Sequence, residues 1–392
     1  MRKTVREYAE ELLPEMTALR REIHAHPDVG MDCTLTANRV CRELEKIGVN
    51  YRRCGDWGVM AEIKGTLRES KAVVMLRADM DGLTVAEKTG LPFASEDPSR
   101  MHACGHDLHT SMLLGSVKVL HQLRDTFAGT VRFLFQPGEE TGKGAGYMIG
   151  YGAMEGVDMG LGVHVDPLSP VGVLKCKTGP DWAAVDHFYI RVHGTGAHGA
   201  MPHTGADAVV ATALIAANMQ SVVSRECSPM KPLVITIGKM TSGTAFNIIA
   251  QDGYLEGTCR CFDDDVWEQI PEAMTRFAAS TARALKCTAE VEIDRICRPL
   301  INSVEAYDML KNAAFKVLDD PDHFKEALPE TIGEDFAEYT KYAPCVFAHL
   351  GTDGGYPLHN SYVNFREEAM PYGTAVEVQF ALDALAHFSQ FK

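Results

Sequence analysis

Four short segments of this chain are rich in side chains that bind metal ions. They are Met101–Asp107 (MHACGHD), Gln136–Glu140 (QPGEE), Gly162–His164 (GVH) and Leu358–Asn360 (LHN). Cysteine thiolate, imidazole and carboxylate are the groups that transition metals of the zinc type accept as ligands. Together the segments predict a hydrolase site that holds two metal ions, provided that the fold brings them together.

The elements expected around these segments favour such a meeting. An apolar, strand-like run precedes the Arg77–Asp81 stretch and also precedes the glutamate pair, His164 and His359; these runs are Val73–Leu76, Val131–Phe135, Leu161–Val163 and Cys345–Leu350. In open α/β sheets, binding sites form beyond the carboxyl ends of the strands. The ligands are therefore expected at one edge of a sheet.

Each motif is ambiguous when it is taken alone. Cys104-Gly-His106 precedes a helical pattern, and a helix N-terminus favours thiolate over thiol, yet an isolated Cys-x-His is more often a buried structural cysteine beside an unrelated histidine. Adjacent glutamates are usually exposed, although one of Glu139 and Glu140 can bind metal while the other faces the substrate water. A single histidine such as His164 or His359 is more often a satisfied polar residue. The prediction rests on the set.

Composition limits the classes of partner. The 392 residues, 46% of them hydrophobic, suffice for two domains, and the net charge of −15 argues against nucleic acid or an anionic membrane as the main partner. The eleven cysteines lack a paired spacing, the first residues lack the apolar core of a secretory signal, and no apolar run approaches the roughly 20 residues of a membrane span. We expect a soluble, cytoplasmic protein that acts on a small molecule.

Periodicity predicts how the chain is organised. Residues 4–24 and 34–47 have the spacing of amphipathic helices, and Gly48 stands where a helix should stop. Strands and helices then alternate as in a βαβ fold, whereas residues 182–293 follow the order βαββαβ of a ferredoxin-like unit. The sequence therefore predicts a large α/β domain, formed by residues 1–181 and 294–392, that is interrupted by a smaller domain of residues 182–293.

Read in order, the motifs resemble those of the metal-dependent amidohydrolases that include N-acyl-amino-acid hydrolases, hippurate hydrolases and plant auxin-conjugate hydrolases, within the aminoacylase and carboxypeptidase G group. Besides the segments above, the matching stretches are Arg20–Pro27, Leu76–Asp81, Gly196–His203, Thr244–Ile249, Gly257–Arg260 and Glu334–Phe336. The chain departs from the commoner pattern at three positions, where Thr84 replaces a proline, Gly138 an alanine and Met31 an aromatic residue. These departures affect no ligand.

The resemblance implies a metallopeptidase-like α/β domain that hydrolyses N-acyl or N-aroyl amino acids to a carboxylic acid and a free amino acid. It implies two divalent ions, zinc or manganese with cobalt as a further candidate, and Glu139 as the general base. Cys104 would bridge the ions. The implied ligands are Cys104, His106, Glu140, His164 and His359.

The resemblance also implies roles for the inserted domain, as a lid that joins two subunits in a homodimer or a larger homo-oligomer. His198 of this domain would stabilise the oxyanion, and the resemblance implies that it does so in the active site of the partner subunit. Arg260, with Asn247, would bind the substrate carboxylate, since a guanidinium suits planar bidentate recognition. Asp79 and Asp107 would orient imidazoles or hold the metal centre together.

Three alternatives remain open at this point. The chain could be a metallo-dipeptidase or carboxypeptidase that acts on small peptides. Cys104 could instead be a covalent nucleophile activated by His106 or His109, although this leaves Glu140, His164 and His359 without a task. A non-catalytic protein that binds metal or amino acids on a hydrolase fold is the third alternative, which the intact Glu139 disfavours. The Gly-rich stretch Thr141–Gly146 lacks a phosphate-loop spacing and is expected to be a flexible loop.

Overall fold

The computed structural model describes residues 3–391, which form two compact units. The first unit comprises Met1–Gly179, Ile301–Leu328 and Asp335–Lys392, and the second comprises Pro180–Leu300 and Pro329–Glu334. Relative to the predicted insert of residues 182–293, the second unit is a few residues longer at both ends and gains the segment Pro329–Glu334.

The helices and strands are numbered in chain order. The α-helices are α1 (Val5–Glu11), α2 (Leu13–His24), α3 (Thr34–Ile47), α4 (His106–Gln122), α5 (Gly144–Gly150), α6 (Ala208–Ser221), α7 (Asp264–Ala284), α8 (Val304–Val317) and α9 (Met370–Phe388). The strands are β1 (Tyr51–Cys54), β2 (Gly58–Lys64), β3 (Val73–Asp79), β4 (Thr130–Gln136), β5 (Met159–Asp166), β6 (Leu174–Cys176), β7 (Gly179–Trp182), β8 (Val185–His193), β9 (Ala197–His198), β10 (Leu233–Ser242), β11 (Ile248–Ile249), β12 (Asp252–Cys261), β13 (Thr288–Cys297), β14 (Leu300–Asn302), β15 (Phe324–Glu326) and β16 (Cys345–Gly351).

The first unit is built on a mixed sheet with the strand order β1-β2-β4-β3-β5-β16-β6-β15. Its central strands run parallel, because β3 pairs in parallel with both β4 and β5, and β5 pairs in parallel with β16. Leu76, Phe133, Leu161 and Val346 on these strands are fully buried, as expected for strands that are covered on both faces. The carboxyl ends of four parallel strands therefore meet at one edge, as the sequence predicts.

The second unit is a ferredoxin-like domain. Its elements follow the order β8-α6-β10-β12-α7-β13, and its antiparallel sheet has the strand order β10-β12-β8-β13. Helices α6 and α7 bury Ile215 and Met274 against a core that includes Phe188 and Leu255. The predicted α/β fold with a ferredoxin-like unit is thus confirmed.

Two local expectations are wrong. The predicted helix of residues 4–24 is broken at Leu12, which is the N-cap of α2 and precedes Pro14 in its first turn. Proline has no backbone N–H and is tolerated best in the first turn of a helix. The Gly-rich stretch is also no flexible loop, since Gly144 opens α5. A Cβ at Gly144 would lie 1.8 Å from the carbonyl oxygen of Pro137, so close backbone packing explains this glycine.

Helix α6 is more apolar than the sequence analysis allowed. Together with the turn that follows it, Ala208–Glu226 is long and apolar enough to cross a membrane by length and composition alone. Ile215 and Met219 pack into the core of the second unit, whereas Val209, Val210 and Leu214 are exposed. The helix therefore has one face in the core and one apolar face that nothing in residues 3–391 covers.

Candidate metal centre

The predicted metal ligands lie together in the first unit. The ligand atoms of Cys104, His106 and His164 are all within 4.8 Å of one another, and the same holds for Cys104, Glu140 and His359. Cys104 belongs to both groups, and its side chain is buried with those of His106 and His164. Two groups of three potential ligands that share one sulfur offer places for two neighbouring divalent ions.

His164 lies near the end of β5 in the tautomer that binds metal through Nε2. Its Nδ1 donates a hydrogen bond to the carbonyl oxygen of Val165 at 2.8 Å, so Nε2 faces the Cys104 sulfur at 3.4 Å. Burial, with the neighbouring His109, holds the pKa of His164 well below its ordinary value. The imidazole is therefore neutral, which metal binding requires.

His106, the first residue of α4, lies between two carboxylates. Its Nδ1 is 3.4 Å from Asp81 Oδ1 and its Nε2 is 3.6 Å from Asp79 Oδ2, yet neither nitrogen makes a hydrogen bond within the described chain. Burial lowers the pKa of His106, but the carboxylates of Asp79 and Asp81 outweigh burial and raise the pKa to about 10. An excess of negative charge therefore surrounds this imidazole.

The Cys104 thiol is not activated by its position before α4, contrary to the expectation from the helix N-terminus. Burial raises the pKa of Cys104 well above its ordinary value, and the carboxylates of Glu140 and Glu139 raise it further. His109 is not placed as a base, because its Nδ1 contacts Asp79 at 2.6 Å and its Nε2 accepts the Val165 N–H at 2.9 Å. The geometry disfavours the covalent-nucleophile alternative.

His359 reaches the metal centre from the strap that follows β16. Its backbone N–H donates to the carbonyl oxygen of Ala103 at 2.9 Å, and its Nε2 lies 3.4 Å from Glu140 Oε1. The residue has a φ of 63°, a left-handed conformation that is costly for a side chain other than glycine and is concentrated at functional sites. The conformation places a half-exposed imidazole against a buried carboxylate oxygen.

Glu139 and Glu140 occupy a 3-10 turn, Glu139–Thr141, directly after β4. The backbone N–H groups of Glu139 and Glu140 donate to the two oxygens of Asp81 at 3.0 and 3.2 Å. Ligand atoms of both glutamates lie within 4.8 Å of one another and of His106. Asp81 thus holds the turn and faces His106, a role that the sequence analysis missed; the Asp-x-Asp spacing, which puts Asp79 and Asp81 on one side of an extended chain, was the available signal.

The predicted supporting residues have separate tasks. Asp79 accepts from His109 Nδ1 and from Arg77 Nη1 at 2.6 Å each, so it orients an imidazole next to His106. Asp107 instead accepts from Arg20 Nε at 2.7 Å and His24 Nδ1 at 2.8 Å. Asp107 therefore joins the start of α4 to α2 and supports the metal centre indirectly.

Asp335 is a second supporting residue without a predicted role. It accepts from Arg77 Nη2 at 2.9 Å and from the Ala145 N–H of α5 at 2.8 Å, while Gln136 Nε2 donates to it at 2.7 Å. The side chain of Asp335 thereby joins β3, the end of β4 and α5. These contacts span some 190 to 258 residues of sequence, which is why local patterns could not reveal them.

The donor set fits cations. Carboxylates of Asp79, Asp81 and Glu140 and the Cys104 thiol surround His106. Its two nitrogens and Glu140 Oε1 are buried and have no hydrogen-bond partner among residues 3–391. Buried polar atoms normally have partners, and buried carboxylates are paired or bind metals. A pair of divalent ions would satisfy both the charge and the open ligand atoms.

The predicted substrate-binding residues lie in the second unit. His198 pairs with Ile248 in the β9–β11 ribbon, and the Gly199 N–H donates to the Asn247 carbonyl oxygen at 2.8 Å, so His198 and Asn247 are neighbours. His198 Nδ1 accepts the Ala200 N–H at 3.1 Å, which leaves the proton on Nε2. The ribbon strand β11 precedes the start of β12, whereas Arg260 lies near the end of β12, roughly 25 Å along the strand. There the Arg260 Nε donates to the Thr331 carbonyl oxygen at 3.3 Å.

Comparisons with known proteins agree with this architecture. Residues 75–383 match the model of peptidase family M20/M25/M40. The chain is 36% identical over 361 residues to N-acetyl-L-cysteine deacetylase of Bacillus subtilis (91% of this chain, 85% of that one) and 38% identical over 303 residues to N-acyl-L-amino acid amidohydrolase of Geobacillus stearothermophilus (77% and 81%). A solved Bacillus subtilis dinuclear metal-binding peptidase of the M20 family superposes with a TM-score of 0.85 at 31% identity, covering 96% of this chain and 99% of that one.

Proposed function

Because this chain belongs to peptidase family M20/M25/M40, we propose that it hydrolyses the amide bond of N-acyl amino acids, releasing a carboxylic acid and a free amino acid. The observation that carries the proposal is the pair of ligand groups that share Cys104, with Glu139 beside both His106 and Glu140. The amide chemistry is supported by relatives that are a deacetylase and an amidohydrolase of acylated amino acids.

Two divalent ions would be held by Cys104, His106, Glu140, His164 and His359. When bound, such ions acidify a water molecule and polarise the amide carbonyl. The dinuclear solved relative supports the number of ions. We propose zinc, which suits the thiolate, or manganese, which suits carboxylate ligands, with cobalt as a substitute.

Glu139 is proposed as the general base. Its carboxylate takes a proton from the attacking water and returns that proton to the leaving nitrogen. The position supports this role, because Glu139 is nearly buried and Asp81 holds its backbone, so that the carboxylate is preorganised rather than mobile. Glu140, held by the same aspartate, remains for metal binding.

The second unit is proposed to supply the remaining groups. His198 Nε2–H would donate a hydrogen bond to the oxyanion, Asn247 would assist it, and Arg260 would bind the substrate carboxylate. His198 lies in the β9–β11 ribbon, which precedes β12, whereas Arg260 lies near the end of β12. This separation supports the proposal that one active centre draws the two residues from two subunits. The exposed apolar face of α6, with Val209, Val210 and Leu214, supports a homodimer through this domain.

The experiment is free-amine release from N-acetyl, N-benzoyl and longer N-acyl amino acids and from dipeptides, with metal-stripped protein resupplied with zinc or manganese. We expect metal-dependent release from acylated amino acids. Release from dipeptides alone would instead identify a peptidase, which is the activity of the dinuclear solved relative. Absence of release from every compound, in protein that binds two ions, would refute the proposed hydrolysis.

A further inference from the structure

The turn that carries Glu139 is contacted on one side by the segment Gly30–Cys33, which precedes α3. This segment is fixed in place, because the Gly82 N–H donates to the Asp28 carbonyl oxygen at 2.7 Å and the Asp28 side chain accepts the Thr36 N–H at 2.7 Å. A parallel bridge between Val29 and Gly82 adds to this. The segment is thus attached to the backbone next to Asp81.

Met31 fills the space above Gly138. A Cβ built on Gly138 would lie 2.3 Å from the Met31 sulfur and 3.2 Å from Met31 Cγ, far inside van der Waals contact. Gly138 also has a φ of 65°, which favours glycine. These are two of the three positions at which the chain departs from the commoner family pattern, and the structure shows that the two departures are in contact.

Cys33 lies beside the same glycine. The buried Cys33 thiol donates a hydrogen bond to the Gly30 carbonyl oxygen at 3.3 Å, and the Gly138 N–H faces the Cys33 sulfur. Burial raises the pKa of Cys33 well above its ordinary value, and the Asp81 carboxylate raises it further, so the thiol keeps the proton that it donates. Asp81 therefore accepts the backbone N–H groups of Glu139 and Glu140, and the Cys33 sulfur lies against the Gly138 N–H that precedes them.

We propose that Met31 and Cys33 form a sulfur clamp that positions the Glu139 carboxylate for proton transfer. The clamp rests on the proposed function, in which Glu139 is the base. Neither sulfur is a ligand or a catalytic residue; each acts on the backbone that carries Glu139. Since a small displacement of a positioned group costs much of its rate advantage, loosening the clamp reduces kcat and leaves KM nearly unchanged.

The first test compares Cys33→Ala, Cys33→Ser and a control, Cys41→Ala, which removes another buried cysteine from α3. Cys33→Ala is expected to lower kcat about tenfold with little change in KM, and to speed hydrogen exchange of the Gly138–Glu140 amides by about the same factor. Cys33→Ser keeps a donor and an acceptor and should recover most of both, while the control should change neither. Wild-type kcat and exchange in Cys33→Ala would overturn the clamp.

A double-mutant cycle tests Met31. Gly138→Ala alone should lower kcat for two reasons: alanine is strained in the left-handed conformation of Gly138, and its Cβ would collide with the Met31 side chain. The loss of kcat should be several-fold smaller when Met31→Ala is also present. Equal losses in both backgrounds would remove Met31 from the clamp.

Hydrogen exchange is measured without substrate, so it tests the clamp independently of the proposed hydrolysis. If Cys33→Ala frees the turn but the wild type hydrolyses no acylated amino acid, the proposed function fails and the clamp on the turn stands. If the wild type is active and Cys33→Ala leaves the turn unchanged, only the clamp fails.

Discussion

Replacing Asp81 with asparagine should weaken metal binding although Asp81 is not one of the proposed ligands. The carboxylate accepts the Glu139 and Glu140 N–H groups at 3.0 and 3.2 Å and lies 3.4 Å from His106 Nδ1. Asparagine keeps one acceptor oxygen and turns the other into a donor, so one buried N–H loses its partner at a cost of about 1–3 kcal/mol. Because the same carboxylate holds Glu140 and faces His106, this free-energy cost should lower the affinity of the protein for metal ions about 10- to 100-fold.

The assay is competition for zinc or cobalt between the protein and a chelating dye. Asp158→Asn is the matched control, because the Asp158 carboxylate also accepts a backbone N–H, that of Val73 at 2.9 Å, at the opposite ends of the parallel strands. The control should bind metal like the wild type. The reasoning is refuted if Asp81→Asn, with an unchanged melting temperature, has the same metal affinity as the wild type.

Three further predictions address other parts of the molecule. Burial raises the pKa of Glu377 to about 8, although the hydrogen bond from Ser116 lowers it. Folding therefore takes up a proton, and the stability of the folded protein falls as the pH rises from about 5 to 8. The melting temperature of Glu377→Gln should exceed that of the wild type by a margin that widens over this pH range, and a constant margin would contradict the buried acid. Mixing two inactive variants, Glu139→Gln and His198→Ala, should restore part of the activity if His198 acts across subunits, whereas a mixture that stays inactive after subunit exchange would place both residues in one subunit. Arg260→Ala should raise KM about 10- to 100-fold for N-acyl amino acids but not for their carboxamides; an equal rise for both would show that Arg260 does not bind the carboxylate.

The sequence predicts best what local patterns determine. The Arg77–Asp81 stretch, the glutamate pair and His164 each stand after an apolar run, and the parallel pairing of β3, β4, β5 and β16 brings those runs to one edge. Strand periodicity and motif spacing were enough for this result. The ferredoxin-like unit was predictable for the same reason, since its order of strands and helices is a local property.

Contacts between distant segments were not predictable in this way. The meeting of Met31 with Gly138, the double use of Asp81 and the link from Asp335 to α5 all depend on tertiary packing. The Cys104 thiol shows a different limit, because its place before α4 suggested a lowered pKa, whereas burial and nearby carboxylates raise it. Electrostatic effects of this kind require the three-dimensional arrangement.

The most direct test of the central claim is to measure bound metal and turnover together in Glu139→Gln. If Glu139 is the base and Cys104, His106, Glu140, His164 and His359 are the ligands, the variant binds two ions per subunit like the wild type and loses nearly all hydrolysis of an N-acyl amino acid. A variant that keeps wild-type turnover with both ions bound would contradict the account.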